Sequence, residues 1–319
     1  MNKILVTGSA GFIGFHLVKR LLDENRLVYG IDNINDYYNQ DLKMNRLEIL
    51  KQFKGFTFKK IDIENRLDLE KVFDEFKPNI VVNLAAQGGV RYSLDNPEKY
   101  IGANINGFFN IIDLCRLKNI EGLIYASSSS VYGENSKTPF SVDQNVDKPV
   151  SLYAATKKSN ELISYAYSHL FGLNTTGLRY FTVYGPWGRP DMAYYLFTKN
   201  IINGKKIDVY NYGDMKRDFT YIDDIVDGTI SAINHNYQCE VFNLGNNRSE
   251  KITEMIEIIE KRLDTKAIIN LLPMQKGDVR ETFADIEHTK TRLQFEPKTS
   301  LSEGVEMFVD WYNKYNKIN

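Results

Sequence analysis

The sequence predicts an α/β protein. A doubly wound parallel sheet is expected over residues 1–180, with a smaller mixed α/β lobe over residues 181–319 interleaved with it. Three observations carry this prediction. Short runs that are apolar throughout recur along the first 180 residues. Segments of 3.6-residue periodicity separate them. A glycine-spaced turn, GSAGFIG, joins the first run to the first periodic segment. Strands without polar alternation are buried on both faces, which requires helices on both sides of a parallel sheet.

The apolar runs lie at 3–7 (KILVT), 27–31 (LVYGI), 56–61 (FTFKKI), 80–84 (IVVNL) and 120–126 (IEGLIYA), with another around 173–180. The helical segments between them cover 12–23, 66–77, 100–118 and 153–171. After about residue 185 the rhythm loosens. Pro186, Pro190, Gly204 and Gly213 punctuate shorter elements, and helices follow near 223–234, 249–262 and 301–316. No stretch reads as a linker, and no internal repeat is present.

Composition narrows the function classes. The chain of 319 residues is 43% hydrophobic and 25% charged, with a formal net charge of −1. No broad field draws such a chain to nucleic acid or to a membrane surface. Cys115 and Cys239 form no CxxC pair, so a reducing, cytoplasmic setting without disulfides is expected. With a strand pattern opening the sequence no signal peptide is expected, and no apolar run reaches the ~18 residues of a membrane span. His16, His169, His235 and His288 stand singly, and no metal site is expected.

GSAGFIG places Gly8, Gly11 and Gly14 after the first strand and at the start of a helix, with Phe12 and Ile13 between them. Backbone approaches a pyrophosphate closely where side chains are absent, and the helix N-terminus offers N–H donors. The second strand ends in Asp32, followed by Asn33. A carboxylate there accepts both ribose hydroxyls and repels a 2′-phosphate, which favours NAD over NADP. Asp62-Ile63 ends the third strand, and Leu84-Ala85-Ala86-Gln87 ends the fourth. Ligands of this fold lie at the carboxyl ends of the strands.

YASSSSVYGE, at 125–134, puts Ser127–Ser130 at the end of the fifth strand. Downstream, SLYAATKKSNEL places Tyr153 and Lys157 four apart in a helix, on one face. A phenol, with a pKa of ~10, is a poor base at neutral pH. A neighbouring ammonium favours its phenolate.

With these motifs in place, the chain resembles the extended short-chain dehydrogenase/reductases, a Rossmann-type family, and within it the nucleotide-sugar epimerases and dehydratases. GSAGFIG, NLAAQ, SSSSVYG, YAATK, LRYFTVYG, RDFTYIDD and GDVRETFAD occur in the family's order over nearly the whole chain. The resemblance implies a catalytic set of Ser128, Tyr153 and Lys157, with Ser128 counted four residues before Tyr132. It puts Ser127 on the cofactor side and Ser129 and Ser130 on the sugar. Tyr180, Thr182 and Val183 are expected to border the nicotinamide, Val209 and Tyr210 to line a uracil site, and Arg217 and Arg280 to hold a nucleotide diphosphate. The competing expectation for those arginines is ion pairing with Asp218, Asp278 or Glu281. A homodimer built on helices near 97–118 and 153–171 is also implied.

Similar dehydratases carry Asp-Glu where this chain has Ser129-Ser130, and similar decarboxylases carry a glutamate at the position of Ser130. Hydroxyls orient a substrate but carry protons poorly, which leaves epimerisation. IDNINDYYNQDLKMNRL, AAQGGVRYSLDNP and TVYGPWGRPDMA look most like UDP-glucuronate 4-epimerases. Arg189 and Arg91 are then the candidates to meet the sugar carboxylate. Thr182 stands where the UDP-galactose branch has asparagine, and Gly88 stands where the glucuronate branch usually has alanine. The alternatives are a UDP-glucose or UDP-N-acetylglucosamine 4-epimerase, a decarboxylase, a dehydratase, and a non-catalytic dinucleotide sensor.

Overall fold

The computed structural model describes residues 3–135, 137–275 and 279–318. Its centre is a seven-stranded, wholly parallel sheet: β1 (Lys3–Thr7), β2 (Leu27–Asp32), β3 (Phe56–Lys60), β4 (Ile80–Asn83), β5 (Gly122–Ser128), β6 (Thr175–Tyr180) and β11 (Cys239–Leu244). The spatial order is β11-β6-β5-β4-β1-β2-β3. The order reverses at β1, which pairs with β2 on one side and β4 on the other. That junction opens a crevice above the strands' carboxyl ends, where ligands of such sheets bind.

The apolar runs become buried strands because alternate residues feed two cores. Ile4 and Val6 join one cluster, and Leu5 joins the other on the opposite face. Helices α1 (Phe12–Asp23), α2 (Gln40–Leu50), α3 (Arg66–Phe76), α6 (Phe108–Leu117) and α7 (Leu152–Phe171) connect the first six strands, with short turns α4 (Tyr92–Asp95) and α5 (Pro97–Tyr100) before α6. The expected helix 100–118 is not continuous. A π-helical stretch over Ile101–Gly107 precedes α6.

The seventh strand comes from beyond residue 180. It follows β7 (Thr182–Tyr184), α8 (Ala193–Ile202), β8 (Lys206–Val209), β9 (Lys216–Arg217), β10 (Phe219–Tyr221) and α9 (Ile222–His235). After it come β12 (Glu250–Lys251), α10 (Ile252–Leu263), β13 (Ile268–Leu271), α11 (Glu287–Leu293) and α12 (Leu301–Asn316). Three two-stranded pairs, β7 with β10, β8 with β13 and β9 with β12, stand beside the main sheet. No described helix is long and apolar enough to cross a membrane.

Candidate active site

The GSAGFIG turn is built so that no side chain can enter it. Gly8 has φ +69°, and a Cβ there would lie 2.8 Å from the Ala85 amide nitrogen. A Cβ on Gly14 would lie 2.1 Å from the Gly8 carbonyl oxygen, and one on Gly11 2.9 Å from it. Gly11 caps α1 without a side-chain bond, so the first-turn N–H groups stay open to an anion. This cradle fits a dinucleotide pyrophosphate. Asp32 supports the same fit. One of its oxygens accepts from Ala10 N–H (3.2 Å) and the other from Ile34 N–H (2.8 Å). Burial raises its carboxyl, against the opposing pull of Lys43 and these backbone donors.

A cavity of about 420 Å³ runs along the carboxyl ends of the strands. All the cofactor candidates line it. Gly8, Gly11, Phe12, Ile13 and Gly14 form one wall, with Asp32, Asn33, Asp62 and Ile63 beside them. Leu84, Ala85, Ala86 and Gln87 follow, then Ser127, Tyr153, Lys157, Tyr180 and Val183. Asn33 donates to Asp62 at 2.8 Å, which joins the ends of β2 and β3.

The serine–tyrosine–lysine set converges at one end of this cavity. Ser151 caps α7 by accepting from Ala154 N–H, which puts Tyr153 in the helix's first turn. Lys157 is buried one turn on, and its ammonium donates to the Ala126 carbonyl of β5 at 2.8 Å. That ammonium lies 5.9 Å from the centre of the Tyr153 ring. Burial pulls Lys157 down to about 8. Burial raises the Tyr153 phenol, while a hydrogen bond with Ser128 and the charge of Arg189 pull it back. The helical spacing leads one to expect Lys157 to be the main support of a phenolate. The Ser128 hydroxyl and the Arg189 charge act on the same phenol.

The serine run divides, with Ser127, Ser128 and Ser129 in the cavity lining and Ser130 outside it. Ser128 Oγ accepts from Ser130 N–H at 3.2 Å and starts a tight turn. Ser128 and Ser129 line the cavity, with Thr182 and Arg189. The Ser127 hydroxyl points away and donates to Glu161 at 2.6 Å. Glu161 accepts both bonds of the Arg179 fork, at 2.8 and 2.9 Å, and Arg179 donates on to Tyr132. The Arg179 charge outweighs burial and keeps the Glu161 carboxyl below its usual value. This buried chain fixes the ends of β5 and β6 against α7.

Arg189 is half-buried, and its guanidinium forms a bidentate pair with Asp191, Nε to Oδ1 at 3.1 Å and Nη2 to Oδ2 at 2.5 Å. Burial works against the charge, and Asp191 overrides it. Tyr37 donates to Asp191 at 3.1 Å, and its ring lies 5.8 Å from the guanidinium. The other substrate candidates, Arg91, Ser130, Val209, Tyr210, Arg217 and Arg280, are not in the cavity lining. Arg91 stacks over the Tyr210 ring at 4.8 Å, and Val209 is buried beside it. Arg217 donates to the Arg280 carbonyl at 3.2 Å, so the two arginines are neighbours. Arg280 pairs with Asp214 at 2.9 Å, a partner the sequence did not suggest. The Asp218 carboxylate accepts the N–H groups of Asn246, Asn247 and Ala284. Asp278 lies outside the described residues.

Sequence reasoning missed Asn104. Its amide clamps Gln87 through N–H (2.7 Å) and C=O (3.1 Å) and donates to Thr156 beside Lys157. It also missed Lys43, Tyr37 and Asp191 in the cavity wall. The only signal for these three was their place in the stretches IDNINDYYNQDLKMNRL and TVYGPWGRPDMA.

Residues 4–245 match the family described as the NAD dependent epimerase/dehydratase family. The chain is 51% identical to Protein CapI of Staphylococcus aureus, over 99% of both chains. It is 42% identical to a probable UDP-glucuronate 4-epimerase of Rhizobium meliloti, over 98% of this chain and 97% of the other. Among solved structures it is similar to the UDP-glucuronic acid 4-epimerase of Bacillus cereus in complex with UDP-glucuronic acid and NAD, with TM-score 0.93 and 36% identity over 98% of this chain and 99% of that one. With the family matched over residues 4–245 and relatives of this identity covering nearly the whole chain, the chain belongs to the NAD-dependent epimerase/dehydratase family.

Proposed function

We infer that the protein is an NAD-dependent 4-epimerase that interconverts UDP-glucuronate and UDP-galacturonate through a transient 4-keto sugar. The observation that carries this reading is the convergence of Ser128, Tyr153, Lys157 and Arg189 at one end of the cavity whose other wall is the glycine cradle. Bound NAD supplies the hydride acceptor and donor for C4 of the sugar. Tyr153 takes the proton of the 4-hydroxyl, keeps it while the ketone exists, and returns it after the sugar has turned over. Ser128 hydrogen-bonds the phenol and orients the 4-oxygen. Lys157 and Arg189 favour the phenolate by charge.

Ser129 and Ser130 stand where an elimination would need a proton donor and acceptor, and hydroxyls cannot serve. Ser129, Thr182 and Arg189, which line the cavity, instead hold the substrate carboxylate. We assign Arg217 and Arg280 to the diphosphate and Val209, Tyr210 and Arg91 to the uridine side. The substrate half is residues 181–319 and the cofactor half residues 1–180. Exposed Phe109, Leu162 and Tyr165 on α6 and α7 supply an apolar face for a homodimer, being 45%, 58% and 65% exposed. The free cysteines suit a cytoplasmic setting, and a UDP-hexuronate product suits the building of an anionic polysaccharide.

Replacing Tyr153 with phenylalanine tests this reading. It removes the acid–base group and is expected to lower turnover by about 10³-fold, with the fold and bound NAD retained. Near-normal turnover would refute the assignment.

A further inference from the structure

Arg46, in α2, is a cation that the chemistry above does not use. It is 0% exposed. No carboxylate among the described residues pairs with it. Nη1 donates to the Ala10 carbonyl and to the Tyr38 hydroxyl, each at 2.8 Å. Nη2 donates to the Trp187 carbonyl at 2.5 Å and approaches the Gly188 carbonyl at 3.4 Å. Ala10 belongs to the glycine turn, and its N–H is the one bonded to Asp32. Trp187 and Gly188 lead directly into Arg189. One buried side chain therefore spans from the dinucleotide cradle to the loop that carries the arginine facing the sugar.

A buried guanidinium with neutral partners is expensive to desolvate, and packing alone would be served better by an apolar side chain. What the guanidinium adds is a planar fork that fixes two carbonyls at a set angle. The loop it holds is strained. Trp187 has φ +62°, a left-handed conformation that a bulky side chain disfavours. Its indole packs on Phe15, Trp311 and Tyr315 at centroid distances of 5.5, 5.3 and 5.2 Å. A Cβ on Gly188 would lie 2.1 Å from the Tyr194 hydroxyl. The loop is thus held from three sides, and the direction of Arg189 follows from it.

We propose that Arg46 is a positioning residue that sets Arg189 against the glycine turn, and through it the preference for a carboxylated over a neutral sugar. The proposal rests on the reading of Arg189 as the carboxylate's partner. Lysine at position 46 keeps the charge, but one ammonium cannot hold both carbonyls as the fork does.

The test is titration calorimetry of the NAD-loaded protein with UDP-glucuronate and with UDP-glucose, which differ only at C6. Wild type, Arg46→Lys and Arg189→Ala are compared, with thermal midpoints and NAD content measured alongside. Arg46→Lys is expected to weaken UDP-glucuronate about tenfold, the equivalent of one charge-assisted hydrogen bond. UDP-glucose should weaken by less than about threefold. Equal weakening of both ligands, or none, overturns the proposal, because a merely structural role does not sort ligands by their carboxylate. If Arg189→Ala loses discrimination and Arg46→Lys keeps it, the Arg46 proposal alone fails. If Arg189→Ala keeps discrimination, the reading of Arg189 fails and the proposal falls with it. Should Arg46→Lys not fold, Tyr38→Phe removes one acceptor and leaves the other bonds. It is expected to shift discrimination by about threefold, and equal weakening of both ligands again overturns the idea.

Discussion

The guanidinium of Arg189 turns its Nε–Nη2 edge to Asp191 and rests Nη1 over the backbone of Gly88, where a Cβ would lie 2.9 Å from that nitrogen. The pair fixes one edge of the fork, and the residue lines the cavity. A 4-keto hexuronate is a β-keto acid, and it loses CO2 when its C5–C6 bond aligns with the carbonyl π system. The electron pair of that bond then becomes an enolate, which takes a proton at C5 to give a 4-keto pentose. Arg189→Ala is therefore expected to lose at least about tenfold in kcat/KM and to release UDP-4-keto-pentose, detectable by NMR. Wild-type rate and product purity would remove this role from Arg189.

Gly88 is not in a left-handed conformation, so alanine is allowed by the backbone there. The added methyl group must push Nη1 aside. Gly88→Ala should lower kcat/KM for UDP-glucuronate by roughly three- to tenfold through a misplaced charge, with the thermal midpoint unchanged. An unchanged kcat/KM would mean that the guanidinium adapts freely.

Lys157 is pulled down to about 8 by burial. Its ammonium, which favours the phenolate, is lost as pH rises through that value. The kcat/KM profile for UDP-glucuronate should carry an alkaline limb near pH 8. Lys157→Met should lower the plateau and abolish that limb. A limb that persists in the variant would belong to another group.

Asp218, at the end of β9, holds together three loops. Its carboxylate accepts three N–H groups, two of them buried, and the Thr220 hydroxyl. Asp218→Ala orphans them and should cost roughly 3 kcal/mol or more in urea unfolding. Burial also lifts its carboxyl to about 6, against these donors. The native state then binds more protons than the unfolded chain between about pH 4 and 6. This group's contribution to stability falls as pH rises through that window. Asp218→Asn should flatten the slope, and an unaltered slope would exclude Asp218 as its source.

Much of the sheet and the centre of the site were legible in the sequence, because both rest on local signals. Six strands announced themselves as apolar runs, and GSAGFIG, Asp32 and the Tyr153–Lys157 spacing each carry their own chemistry. Helix α2 was not visible. It buries Lys43 and Arg46 among Leu42, Leu47 and Leu50, so charges interrupt the apolar stripe that would mark it. The seventh strand, CEVFNL, is interrupted by Glu240 and Asn243 and begins exposed. Arg179 sits inside a strand and Glu161 on a helix, where each reads as an ordinary charge. Only the fold brings them together. Asn104 is read as a polar helix residue, until a π-helical turn directs it onto Gln87. Arg280 shows the converse limit, since nothing local revealed Asp214 as its partner.

The central claim is tested most directly by incubating the purified protein with UDP-glucuronate, without added NAD, and separating the products by chromatography and NMR. Formation of UDP-galacturonate, free of UDP-pentose, is the predicted result. UDP-pentose as the main product would make the enzyme a decarboxylase. No reaction with UDP-glucuronate, but turnover of UDP-glucose or UDP-N-acetylglucosamine, would leave Ser128, Tyr153 and Lys157 in place and contradict the account of Arg189.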